Sequence, residues 1–178
     1  MKAINENNAE WSQTYITEVC DLFLSEYEYL HLEKQDNLTD KWLDQYSGID
    51  ILIKKGNALY GVASRIQKGN WASFTIRSKT YYGNDTELKK RKESINNGSI
   101  YPYYTIHAYY KKNIDESGLV TYTYTNGAII ETKELYEFMK YNSNKINKST
   151  NKGDDNDFIY INFEDLIWCE SFKQIKTY

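Results

Sequence analysis

Residues 48–67 read GIDILIKKGNALYGVASRIQ, and the fold turns on how this stretch pairs with itself. Gly48 to Ile53 is a short aliphatic run of the kind that forms a strand. Lys55-Gly56-Asn57 supplies a turn, and Leu59 to Gln67 returns as a second strand, so the segment reads as a β-hairpin. Asp50 lies between Ile49 and Ile51. A carboxylate in a segment suited to burial is costly unless it is paired or bound to a cation. On the returning strand a period of two puts Ala63, Arg65 and Gln67 on one face and Val62, Ser64 and Ile66 on the other. The hairpin therefore sets a polar strand face beside an aspartate. Either a divalent ion or the Arg65 guanidinium is expected to compensate that charge.

Upstream, Ser12 can cap a helix that begins near Gln13. Trp11, Tyr15, Val19, Leu22, Phe23, Tyr27 and Leu30 recur at three- and four-residue steps, which predicts a helix ending near His31 with one stripe facing the core. Leu38, Trp42, Leu43 and Tyr46 anchor a polar connection. Downstream, a third strand is expected over Trp71 to Arg77. Asp85 or Thr86 then caps a short basic helix that Asn96-Asn97-Gly98 ends. Ile100 to Lys111 reads as a strand with Thr105, His107 and Tyr109 on one face and Ile106, Ala108 and Tyr110 on the other. Leu119 to Thr125 reads as its partner, with Asn126-Gly127 as a turn. Thr132 is expected to cap a helix over Lys133 to Tyr141. Phe158 to Asn162 is a last strand, and Phe163 to Trp168 a short helix. The expectation is one domain, 1–178, of α/β (α+β) class with a central mixed sheet flanked by helices. Its core spans 11–141, a flexible loop 142–157, and a C-terminal strand and helix 158–178.

Composition fits a folded domain. The chain has 178 residues, 18 of them tyrosine, and 16% aromatic content argues against global disorder. Tyrosine, Asn, Lys and Ile are all AT-rich-codon residues, which suggests a bacterial or viral coding bias before any special use of tyrosine. No run approaches the ~18 apolar residues that span a bilayer, and residues 1–10 lack the apolar stretch of a signal peptide. Cys20 and Cys169 have no neighbouring ligand residues, so they read as thiols of a cytoplasmic protein. The net charge of −3 hides an asymmetry: residues 1–50 carry −8, residues 51–92 carry +8 and residues 93–178 carry −3. The middle third can offer a positive face to phosphates although the whole chain is acidic.

The order of these elements resembles the PD-(D/E)xK nuclease superfamily, the restriction-endonuclease-like fold. Glu18 sits on the first helix, GIDILI supplies Asp50, and YGVASRIQ stands in the place of the (D/E)-x-K strand. A helix follows, and FIYINFEDLI looks like the end of many such domains. The resemblance covers roughly residues 11–110. The matched strand offers Ala63-Ser64-Arg65 or Arg65-Ile66-Gln67, with neither the acid nor the lysine. The resemblance implies a metal-dependent nuclease using Mg²⁺ or Mn²⁺ on DNA more than RNA, with a homodimer as its possible assembly. Asp50 and Glu18 would be metal ligands, Arg65 would stabilise charge on the phosphate, and Gln67 would be a neutral ligand or would orient water. Lys68, Arg77, Lys79, Lys89, Lys90, Arg91 and Lys92 would line the phosphate path. Trp71, Tyr81 and Tyr82 could stack on an unpaired base, though Trp71 reads first as core. Two other readings stand beside the nuclease. One is a non-catalytic module on the same fold that binds nucleic acid or protein, such as a phage or mobile-element accessory protein. The other is an inhibitor that presents Glu18, Asp21 and Glu28 as an acidic helix face.

Overall fold

A computed structural model of the chain describes residues 2–32, 43, 47–79, 86–151 and 156–177. The expected anchors Leu38, Trp42 and Tyr46, the tyrosines Tyr81 and Tyr82, and Asp85 lie outside the described residues. Helix α1 (Lys2–Phe23) leads into strand β1 (Glu28–His31). Strands β2 (Ile51–Lys55), β3 (Ala58–Lys68) and β4 (Ser73–Lys79) follow, then helix α2 (Glu87–Asn97). Strands β5 (Tyr104–Ile114) and β6 (Val120–Glu131) precede helix α3 (Thr132–Tyr141). Strands β7 (Asn147–Asn151), β8 (Asn156–Asn162) and β9 (Lys173–Lys176) complete the chain, with short 3₁₀ turns at Ser143–Lys145 and Phe163–Leu166.

The fold is mixed α+β, built on a central six-stranded sheet in the order β1-β2-β3-β5-β6-β9. β2 and β3 form the expected antiparallel hairpin, with Ile51 opposite Val62. β3 and β5 are parallel, as a connection through α2 permits, and the other pairs are antiparallel. β4 leaves this sheet and starts a second one in the order β4-β8-β7.

Two cores lie on the two faces of the main sheet. On one, Val19, Cys20 and Phe23 of α1 pack on Ile51, Ile53, Val62, Ile106, Ala108 and Tyr110. On the other, Tyr109, Ala128 and Ile130 pack with Phe74, Ile76, Ile159 and Ile161 of the second sheet and Leu135 and Met139 of α3. β5 is thus buried on both faces from Thr105 to Tyr110. Among the described residues no helix is long and apolar enough to cross a membrane. Both cysteines are free thiols, and burial pushes Cys20 up to about 12.

Several expected boundaries move. α1 starts at Lys2 and ends at Phe23, and the Tyr27–Leu30 stretch turns into strand β1 instead of prolonging the helix. Tyr29 and Leu30 fit a helix stripe and an edge strand equally well, and pairing of Tyr29 with Ile53 decides for the strand. Residues 147–151, read as part of a flexible loop, form an edge strand whose backbone is satisfied by β8. Asn126-Gly127 is no turn. It runs through the middle of β6, where a Cβ at position 127 would sit 2.7 Å from the His107 carbonyl oxygen. Gly98, by contrast, plays its expected part: at φ 66° it closes α2 in the left-handed conformation, opposite the Thr86 N-cap that accepts from the Lys89 N–H.

Candidate functional site

Asp50 stands just before β2, where the β2–β3 ladder ends. The next inward-pointing backbone donor on β3 is the Ser64 N–H, and the Asp50 Oδ2 accepts it at 2.6 Å. The Ser64 hydroxyl lies 3.5 Å from the same oxygen. The carboxylate therefore continues the hairpin's hydrogen bonding one step past its last backbone pair. It opens on a cavity of about 90 Å³ beneath α1, shared with Ser12, Gln13, Ile16, His31, Leu32, Ser64 and Ile66.

Arg65 points to the opposite face of β3 by the strand's period of two. There it donates to the Thr75 carbonyl at 2.7 Å and pairs with Glu87 at 2.6 Å. Glu87 is the first residue of α2, and its other oxygen meets Arg91 one turn later at 3.1 Å. Burial alone would raise the Glu87 pKa, but the two guanidiniums hold it at about 2. Arg91 also reaches Thr105 Oγ1, which in turn shares a hydrogen bond with Thr132. His107 sits beside Arg65 on β5. Its burial first, and the Arg65 charge next, keep its pKa well below the usual histidine value. The ring is neutral, and its Nδ1 accepts the Thr75 N–H at 3.2 Å. This set binds α2, β3, β4 and β5 together, with two guanidiniums sharing one carboxylate.

Gln67 lies further along β3, in a third place. It lines a groove of about 790 Å³ between the end of β3 and the outer face of the second sheet, with Trp71, Thr75, Phe158, Tyr160 and Asn162. Glu18, on α1, accepts the Tyr110 hydroxyl at 2.8 Å and is not among the residues around the Asp50 cavity. The four expected catalytic residues are thus held in four separate settings. The expected cross-strand Asp50–Arg65 partnership gives way to Ser64 for the acid and Glu87 for the base, because the carboxylate is taken up at the ladder's end while Arg65 points across the sheet.

The residues around Asp50 do not suit the divalent ion that the resemblance implies. Ser64 and Ile66 share its cavity, one of its oxygens already accepts an amide, and among the described residues no second carboxylate lines that cavity. Among the described residues no group of three or more His, Cys, Asp or Glu is placed to hold a metal.

The expected phosphate path divides as well. Arg91 is 8% exposed and belongs to the buried Glu87 set, so it leaves the path. Its neighbours in sequence conceal this, since Lys89 and Lys92 are exposed as a solvated helix face would have them. Lys68 lies over the Trp11 ring at 4.8 Å. Arg77 and Lys79 are exposed on β4, and Arg77 stands over the Phe158 ring at 5.9 Å. Trp71, read first as core, is 60% exposed at the groove. The acidic helix face also dissolves: Asp21 accepts the Tyr29 hydroxyl, and Glu28 lies on β1 paired with Lys54.

Two features escaped the sequence reading. Glu87 lies in a strongly basic stretch, and its four-residue step to Arg91 is an ion-pair spacing. The groove face was written in the alternation of SFTIR and FIYIN, where Ser73, Thr75 and Arg77 face one way and Phe74 and Ile76 the other. Compared with known protein families, with curated proteins and with solved structures, the chain gives no significant match to any of them.

Proposed function

We propose that this chain is a non-catalytic nucleic-acid-binding module, with DNA as its partner, on a restriction-endonuclease-like arrangement of elements. Helix α1, the Asp50 segment, the β2–β3 hairpin and helix α2 follow one another in the order that resemblance implies, with β1 and β4 interposed, which supports the arrangement. The observation that carries the binding role is the division of the positive charge. Arg65 and Arg91 are consumed by Glu87 inside the protein. Arg77, Lys79, Lys89 and Lys92 are exposed on β4 and α2, two elements that pack side by side. Exposed cations on adjoining elements are what a phosphate backbone recognises. A binding role is favoured over hydrolysis by the separate settings of Asp50, Glu18, Arg65 and Gln67.

The test is anisotropy of a labelled oligonucleotide titrated with the protein at several salt concentrations. The affinity should fall linearly with salt on logarithmic axes. The double substitution Arg77→Glu, Lys79→Glu should weaken binding and reduce that slope by about 2. A wild-type affinity that ignores salt, or a double variant that binds equally well, would refute the reading.

A further inference from the structure

The outer face of the second sheet has a composition that a packed core does not need. Along β4 and β8, Phe74, Ile76, Ile159 and Ile161 turn inward and are buried. The alternate residues turn the other way, and the register sets them opposite one another: Ser73 by Asn162, Thr75 by Tyr160, Arg77 by Phe158. β7 adds Ser149 beside Phe158. Gln67, Asn70 and the exposed Trp71 close one end, making the groove of about 790 Å³. A volume of that order suits a small organic ligand, typically ~300–1,000 Å³.

The lining selects the ligand. Three aromatic rings, Trp71, Phe158 and Tyr160, offer stacking surfaces. Amides and hydroxyls stand between them, and among the described residues no carboxylate lines the groove. Gln67 and Asn70 bring side-chain amides to the groove, groups that can read the edge of a flat ligand. At the rim, the Arg77 guanidinium over Phe158 supplies positive charge next to the rings. Flat faces to stack on, amides to read an edge and a cation for a phosphate are the parts that recognise an unpaired base.

We infer that this groove holds an unpaired nucleobase of a single strand, stacked against Trp71 with its edge towards the Gln67 side chain. The inference rests on the nucleic-acid reading and names the form of nucleic acid that reading leaves open. In a duplex the bases are stacked and paired inside the helix, so only a single strand or a flipped base can enter.

The experiment compares a labelled single strand of about 12 nucleotides with the duplex it forms with its complement, using the wild type, Trp71→Ala and Gln67→Leu. Trp71 is largely exposed, so its variant should keep the wild-type thermal transition, and Gln67→Leu serves independently. Wild type should prefer the single strand. Loss of one stacking ring should weaken that binding roughly tenfold and leave duplex affinity unchanged. In parallel, adenosine monophosphate should shift the backbone amide resonances of residues 71–75 and 158–162, and maltohexaose should not. Equal binding of both forms, unaffected by either substitution, would overturn this inference while leaving the module reading intact. Shifts produced by maltohexaose and not by the nucleotide would overturn it in favour of a sugar. No binding of either form by the wild type would overturn both.

Discussion

Replacing Glu87 with Gln removes one charge from between two guanidiniums. The side chain keeps its size, but Arg65 and Arg91 lose their counter-ion in a setting where Glu87 is 19% and Arg91 8% exposed. Breaking a buried pair from one side costs about 3–5 kcal/mol. The partial exposure of Arg65 argues for the lower end, about 3 kcal/mol. The carboxyl's own titration gives a similar figure. A drop from its ordinary value near 4.5 to about 2 corresponds to roughly 3 kcal/mol of folding free energy. The sign is that of a depressed acid: the contribution is complete above its ordinary value and is lost as pH falls towards about 2. For a chain of this length about 3 kcal/mol is a fall of roughly 6–12 °C in Tm. Thermal unfolding followed by circular dichroism at neutral pH measures it directly. Repeating the scans at falling pH should bring the two proteins together, as the wild type loses what the variant already lacks. A variant that melts within about 2 °C of the wild type at neutral pH, or a gap that does not narrow in acid, would refute the account of this cluster.

Two further outcomes follow from the same geometry. Asp50→Ala leaves the Ser64 N–H without its acceptor and should cost about 1–3 kcal/mol in urea denaturation, with no change in oligonucleotide affinity. A loss of affinity at unchanged stability would instead place Asp50 in the binding surface. Gly127→Ala drives a methyl group against the His107 carbonyl and the Tyr124 hydroxyl. It should destabilise by about 1–3 kcal/mol, read from the urea midpoint, and a neutral result would mean that β6 shifts freely at that point.

The parts of the fold legible in the sequence are those governed by neighbours in the chain. The β2–β3 hairpin follows from its turn and aliphatic runs, and α2 from the Thr86 and Gly98 caps. The two-faced pattern of β5 follows from alternation. The parts that escaped depend on partners distant in sequence. β7 has no apolar stripe, since an edge strand needs only a partner's backbone, which β8 provides. Gly127 is required by the approach of β5 and not by a turn. The candidate site was missed for the same reason. Arg65 and Asp50 appear as neighbours across a hairpin, yet Arg65 finds its carboxylate 22 positions away on another element. No local pattern specifies that distance. Trp71 is a similar case, because an aromatic beside a strand reads as core until the second sheet's position shows which of its faces is open.

The measurement that tests the central claim most directly is a single incubation. The protein and a labelled DNA strand are mixed at low salt with Mn²⁺ present and resolved on parallel native and denaturing gels. The account predicts a retarded band on the native gel and full-length strand on the denaturing one. Shortened strands that disappear in the Asp50→Ala variant would contradict it, and so would a strand that migrates unbound.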